Sequence, residues 1–293
     1  MTNQADQQAQ DRSQVMSPSG LKAHSPEVAA QRARKYGSLY YAEHVLRAMR
    51  GYGWTIVASS VGTPIVYLFA MGIGLATLVD SRTGDQGLGD VSYLTFVAPA
   101  LLATAAIMVA NEEFSYPVMA GFKWRRTYYG PNASPLSSSQ IVNGSVMAVT
   151  VRLALTCGIY FLFMLVFGAV PDATGWLSAI IAVLCGLSFG LPLMAYAAGI
   201  EEERGQFAMV MRFVVTPLFL FSGTFFPLDS LPMVVRWIGW ISPLWHGTEL
   251  GRVFSYDYAE PVWLSTLHVL YMVVLALAGW VVARKRYAGR LGK

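Results

Sequence analysis

Residues 173–200 read ATGWLSAIIAVLCGLSFGLPLMAYAAGI and contain no Asp, Glu, Lys or Arg. A helix of about 20 apolar residues crosses the hydrocarbon core of a bilayer, and this stretch is longer than that. Outward from it, residues 51–79, 91–111, 153–171 and 261–283 are equally free of charge. The whole chain of 293 residues is 55% hydrophobic and 13% charged, with a mean hydropathy of +0.45. A soluble domain carries about 25% charged residues, so an ordinary soluble enzyme is excluded. The pattern specifies an all-α, polytopic membrane protein.

Six spans are expected, at 53–78, 93–111, 144–168, 176–199, 208–227 and 262–283. The fifth is the weakest, because Arg212 leaves only 213–228 charge-free. Lys and Arg accumulate in cytoplasmic segments. Here they precede the first span (Arg12, Lys22, Arg32, Arg34, Lys35, Arg47, Arg50) and follow the second (Lys123, Arg125, Arg126). They also follow the fourth (Arg204) and crowd the C-terminus (Arg284, Lys285, Arg286, Arg290, Lys293). The opposite loops hold Arg82, Arg236 and Arg252 against Asp80, Asp85, Asp90, Asp172, Asp229, Glu249, Asp257 and Glu260. Both termini are therefore expected in the cytoplasm. The net charge of +4 is mostly this bias and calls for no nucleic-acid partner.

Residues 1–35 are Gln-, Ser- and Ala-rich, too polar for a signal peptide, and read as a disordered cytoplasmic tail. Residues 36–52 read as an amphipathic interfacial helix. Leu39, Ala42, Val45, Leu46 and Met49 fall on one side, and Glu43, His44, Arg47 and Arg50 on the other. Cys157 and Cys185 lie inside apolar stretches and read as small packed hydrophobes, with no disulfide framework and no metal-ligand spacing. Residues 286–293 read as a short basic tail.

Three places depart from plain spans. The first is the loop 112–143, with Glu112, Glu113 and Phe114, then Phe122, Lys123, Trp124, Arg125, Arg126, Thr127, Tyr128 and Tyr129 on a short helical stretch closed by a Gly130–Pro131 turn. Interleaved aromatics and arginines suit a protein interface or a headgroup belt equally. The second is 228–246, too short and interrupted to cross, which reads as an outer re-entrant or interfacial helical pair with Trp237, Trp240 and Trp245 in the interfacial belt. The third is Arg152, the one charge well inside a span, which is either a substrate contact or a side chain that snorkels. His268 reads as a packed neutral imidazole, Glu249 as solitary, and Glu201–Glu203 as a solvated turn.

No carboxylate is expected near the middle of any span, which disfavours an ion-coupled carrier. No G-x-x-x-x-G-K-[ST] occurs, so the chain has no P-loop of its own, and no H-E-x-x-H or paired-carboxylate motif suggests catalysis. Gly186 and Gly190 form a G-x-x-x-G, which permits close helix packing without naming a partner helix.

The stretch 122–136, FKWRRTYYGPNASPL, resembles ABC-2 type permeases, as do 221–232, FSGTFFPLDSLP, and 242–250, SPLWHGTEL. The resemblance is strongest to the NodJ-like branch linked to lipooligosaccharide export, and more distant to polysaccharide and drug exporters. It covers about 36–285. It implies a six-helix permease fold of the type V exporter kind over 53–285, in a bacterial inner membrane, with the coupling loop 112–143 docking on a separate P-loop ATPase. Carried over, Phe122, Lys123, Trp124, Arg125, Arg126 and Tyr128 would contact that subunit, and Glu112, Glu113 and Phe114 would lie at the junction that transmits its movement. A second permease copy, in a homodimer or heterodimer, would complete the path through spans one and five. ATP and Mg would bind the partner, and this chain would carry no cofactor. Arg152, Phe69, Phe96, Phe219 and Phe225 are expected along the path of an amphiphilic substrate, a glycolipid, lipooligosaccharide or similar amphiphile, with membrane lipid as a further partner. A drug efflux permease is the rival within transport. A membrane enzyme acting on lipid-linked sugars and a non-transporting scaffold are the rivals outside it.

Overall fold

A computed structural model of the chain describes residues 26–76 and 91–292. Residues 1–25, the end of the first expected span and the acidic segment holding Asp80, Arg82, Asp85 and Asp90 lie outside the described residues. Among the described residues the structure is helical, with no strand.

The helices are α1 (Pro26–Met49), α2 (Gly53–Phe69), α3 (Tyr93–Phe114), α4 (Tyr116–Lys123), α5 (Tyr129–Ala133), α6 (Ser138–Val166) and α7 (Trp176–Ala198). They continue as α8 (Gln206–Val210), α9 (Thr216–Phe221), α10 (Met233–Trp240), α11 (Pro243–Tyr256) and α12 (Val262–Leu291). Four helical stretches are long and apolar enough to cross a membrane: Tyr93–Lys123, Ser138–Val166, Ala173–Ala198 and Val262–Leu291. They coincide with the second, third, fourth and sixth expected spans. The other two are less regular. α2 runs on through wide π turns at Ala70–Leu75. The fifth is a shorter apolar run, Gln206–Phe221, with a π segment at Met211–Val215. At about 1.5 Å per residue its 16 residues give about 24 Å, short of the hydrocarbon core. Pro217, with no N–H to continue the ladder, follows its π segment directly, and the Met211 carbonyl accepts both the Thr216 N–H and, at 2.9 Å, the Thr216 hydroxyl.

α3 is the central rod. Its most apolar window is 89% buried, against 28% for α12 on the periphery. It packs on α7, α11 and α6, while α12 covers the far side of α7. The G-x-x-x-G of α7 makes the α3 contact: Gly186 faces Ala106, and a Cβ on Gly190 would lie 2.5 Å from the Phe114 ring. The outward sides of α6 and α12 expose Leu155, Leu162, Val166, Leu270, Val274 and Leu277, the surface that lipid covers in a helical membrane protein. Cys157 and Cys185 are buried and unpaired among the packed helices.

Four features differ from the sequence reading. α1 begins at Pro26, so 26–35 belong to a helix rather than to the expected disordered tail. α1 also does more than lie in a headgroup plane. Tyr41, Ala42 and Met49 are buried, α1 packs along α6, and Gly144 of α6 sits against the α1 backbone at Ser38 and Ala42. The second limb of the 228–246 segment continues to Tyr256 and is largely buried against α3 and α7, so only α10 keeps an interfacial character. Finally, α12 runs to Leu291, and the residues expected as a basic tail are its last turns.

A candidate functional site at the base of the central helix

The C-terminal end of α3 carries Glu112 and Glu113, and α6 brings Arg152 to both. Arg152 Nη2 donates to Glu112 Oε2 at 2.7 Å, and Nη1 donates to Glu113 Oε1. Arg152 is 8% exposed and does not snorkel; it lies 14 residues into α6, about 21 Å from its start. Glu113 is equally buried, at 9%, whereas Glu112 is 59% exposed. Tyr52, in the short turn between α1 and α2, donates its hydroxyl to the same Glu113 oxygen at 3.4 Å. Burial and the facing carboxylate raise that phenol above its ordinary value, so it stays a donor. Three chain segments therefore meet at one charge cluster.

Two cavities flank the cluster. One, of about 280 Å³, is bounded by Tyr41 and His44 of α1, Glu113, Pro117 of α4 and Arg125. The other, of about 90 Å³, lies between α2, α3 and α6, where Ser59, Ser60, Thr63, Thr104, Thr156 and Tyr160 line it beside Glu112 and Phe219. Ser60 and Thr156 share a hydrogen bond of 3.0 Å, and the buried Tyr160 hydroxyl has no protein partner. The apolar helices thus enclose a small hydroxyl-lined space next to a buried ion pair.

Beyond Glu113 the chain breaks at Ser115 and re-forms as α4, with Pro117 in its first turn, where a missing N–H costs nothing. Phe122 and Tyr128 were both expected at a partner surface, and the structure corrects this. They are 2% and 7% exposed and close an aromatic cluster with Tyr287 of α12, with ring centroids 4.7–5.0 Å apart. Arg290 caps the Phe122 ring at 4.4 Å and donates to the Ala198 and Ile200 carbonyls at the end of α7. Asn132 of α5 donates to the Leu291 carbonyl at 2.9 Å. The last turns of α12 therefore clamp the loop against the bundle. Phe114 is likewise buried, at 1%.

Trp124, Arg125, Arg126 and Tyr129 remain exposed, with Lys123 half-buried and its ammonium 5.9 Å from the Trp124 ring centroid. Arg126 takes a left-handed backbone, φ 50°, that turns the chain between α4 and α5. Gly130 and Pro131 do not close the stretch; they lie in α5 itself. Of the residues expected along a substrate path, Phe219 lines the hydroxyl cavity and stacks edge-on to Phe225 at 5.0 Å. Phe69 points outward at 56% exposure. Phe96 sits at the opposite end of α3, about 25 Å from Glu113 along the helix.

At that opposite end is a second buried cluster that sequence reasoning missed. Arg252, 1% exposed, donates to Glu249 at 2.8 Å, to the Gly223 carbonyl at 2.6 Å and to the Phe96 carbonyl at 3.3 Å. Its guanidinium also lies 3.7 Å from the Phe96 ring centroid. Glu249 is therefore paired rather than solitary. The i, i+3 spacing on a helix was the available signal; the long loop separating the helices hid the other partners. His268 is not merely packed either. Its Nε2 lies 3.0 Å from Glu260, and its Nδ1 lies 2.5 Å from His246 Nδ1.

The chain matches the ABC-2 type transporter family over residues 44–256. It is 27% identical over 239 residues to "Nodulation protein J" of Rhizobium leguminosarum bv. viciae, covering 78% of this chain and 87% of that one. It is 31% identical over 197 residues to the protein of the same name from R. leguminosarum bv. trifolii, covering 64% and 70%. It is 24% identical over 205 residues to "Inner membrane transport permease YadH" of Escherichia coli (strain K12), covering 70% and 76%. The central rod, the long apolar helices around it and the loop clamped at its base all fall within or beside the matched region, and the chain belongs to the ABC-2 type transporter family as a multi-pass membrane permease.

Proposed function

We propose that this permease is the membrane subunit of an ATP-driven exporter that moves a glycolipid, a lipooligosaccharide or a similar amphiphile out of the cytoplasmic membrane. The observation that carries the reading is the Arg152 joint. It ties α3, α6 and the α1–α2 turn together directly above a loop whose exposed side is aromatic and basic.

The mechanism follows from the geometry. The sequence has no P-loop, so free energy enters from a P-loop ATPase that docks on Trp124, Arg125, Arg126 and Tyr129, with Lys123 at the edge. Phe122 and Tyr128 act as the keel that makes the loop rigid, because they are locked to Tyr287 and Arg290. Movement of the loop then passes into the end of α3 at Phe114 and Glu113. Arg152 and Tyr52 hold that end against α6 and α1. The switch between inward- and outward-open packings is a choice between two arrangements of these helices, biased by nucleotide on the partner. ATP and Mg belong to that partner.

A second copy of the permease, identical or homologous, faces α2 and α8–α9. The support for this is that α2 keeps a side with Trp54, Val57, Val66 and Phe69 exposed, and that Met209 and Phe213 are exposed on the fifth span. The hydroxyl-lined space beside Glu112 gives a polar headgroup hydrogen-bond partners while an acyl tail stays in lipid. Both termini face the cytoplasm, consistent with the Lys and Arg bias. The name of one relative, an inner membrane transport permease, agrees with a transport role. Drug efflux is the second reading, favoured by the apolar half of the same cavity, Leu101, Met108, Val109 and Phe219.

Purification from native membranes in gentle detergent tests the proposal. A stoichiometric P-loop ATPase with vanadate-sensitive turnover is the expected companion. A lone permease that turns over a lipid-linked sugar by itself would replace transport with catalysis.

A further inference from the structure

The end of the bundle opposite the coupling loop holds a cavity of about 480 Å³, within the size range of small-ligand sites, about 300–1,000 Å³. Trp240, Trp245 and Tyr258 supply its aromatic surface, and Glu249, Glu260 and Asp229 supply its carboxylates. It is mixed in character, with ring faces and hydrogen-bonding groups side by side.

The pairing within this lining decides what it can take. Glu249 is neutralised by Arg252 at 2.8 Å, and Asp229 faces Arg236 at 3.5 Å. Glu260 is engaged through a hydrogen-bonded relay. His246 Nε2 lies 3.1 Å from the Trp240 carbonyl, which only an N–H can satisfy. His246 Nδ1 is then the bare nitrogen, and it accepts from His268 Nδ1 at 2.5 Å. His268 Nε2 in turn lies 3.0 Å from Glu260 Oε1, so the imidazole engages that carboxyl. Ser265 donates to the other Glu260 oxygen. Glu249, Glu260 and Arg252 are each engaged by a protein partner, and the exposed Asp229 is left as a hydrogen-bond acceptor at the mouth.

A neutral polyhydroxyl ring fits this lining of aromatic faces and acceptor oxygens. Its hydroxyls find acceptor lone pairs on Glu249 and Asp229, and its C–H faces stack on indole and phenol rings, which present an apolar body with a polar tip. We infer that this cavity is a binding site for a neutral pyranose of a glycan headgroup, and that Trp240 and Tyr258 are the stacking residues. Both rings are about half exposed, 46% and 41%, so they are free to receive a ligand, and replacing them removes little packing. Its place in transport rests on the export reading above; its chemistry does not.

The full-length chain in lipid nanodiscs, probed by saturation-transfer NMR with free maltotriose and cellotriose, tests the site. Choline chloride and inorganic phosphate serve as the ionic arms. Saturable transfer to pyranose C–H protons is expected, weakened about tenfold or more in Trp240→Leu and in Tyr258→Leu and restored largely by Trp240→Phe. Neither ion should compete. No transfer at tens of millimolar sugar, equal transfer to both Leu variants, or displacement by choline would overturn the site. The two readings fail separately. Sugar binding without ATP-dependent glycolipid export by the complex removes the export reading and keeps the site, whereas export that survives with no sugar binding removes the site and keeps export.

Discussion

Arg152 of α6 and Glu113 of α3 form an ion pair in which both side chains are at least nine-tenths buried, and the same guanidinium reaches Glu112 at 2.7 Å. Burying such a pair is costly, and breaking it by removing one partner leaves an uncompensated charge, typically at a cost of about 3–5 kcal/mol. A pair placed where the coupling loop meets the central rod holds that joint in one arrangement.

Arg152→Ala is therefore expected to lower the thermal unfolding midpoint of the detergent-solubilised permease far more than Glu112→Gln, whose carboxylate is mostly solvated. Arg152→Ala combined with Glu113→Gln should recover part of the loss, since the buried carboxylate charge is gone. A double variant no more stable than Arg152→Ala would contradict the pairing.

Loop residues divide into keel and surface. Phe122→Ala empties a buried ring site and should cost about 3–5 kcal/mol in unfolding. Arg125→Glu with Arg126→Glu alters only exposed side chains and should leave the unfolding midpoint within a degree or two of wild type, while abolishing copurification of the ATPase. Equal stability losses in both variants would dismiss the division.

Gly190 sits where α7 meets the Phe114 ring. Gly190→Val overfills that contact, and a penalty of about 1–3 kcal/mol is expected. Gly62, with open space around its Cβ position, provides the comparison, because Gly62→Ala meets no neighbour. Unfolding midpoints of the two variants check this directly.

His246 supplies a pH dependence. Burial, then the neighbouring His268, pushes its imidazole down to about 4 from an ordinary value near 6.5. Its folded-state value is thus depressed. Below about pH 6.5 the unfolded chain binds a proton that the folded chain refuses, so stability is full above that value and falls as pH drops toward 4. Midpoints measured from pH 7 to 4 should decline more steeply in wild type than in His246→Gln. Parallel curves would show that His246 contributes nothing to the slope.

The long apolar helices were legible because 28 consecutive uncharged residues at 173–200 admit few other structures. The chemistry at either end of α3 was less so. Arg152 stood out as an intramembrane charge, but its partners lie 39 and 40 residues away on another helix, where Glu112 and Glu113 open the expected loop 112–143. Nothing local in 122–128 separates the buried Phe122 and Tyr128 from the exposed Trp124 and Arg125. That division depends on Tyr287 and Arg290, which arrive from the far end of the chain. The His246–His268–Glu260 relay was hidden for the same reason, since its members come from α11, α12 and the loop between them.

ATP-dependent translocation of a fluorescent glycolipid in proteoliposomes holding the permease and its copurified ATPase tests the central claim most directly. Transport is expected in wild type, and loss of both transport and stimulated ATPase activity in Arg125→Glu/Arg126→Glu, with that variant still folded. Transport that persists in the folded double variant, or that proceeds without any ATPase chain, would contradict it.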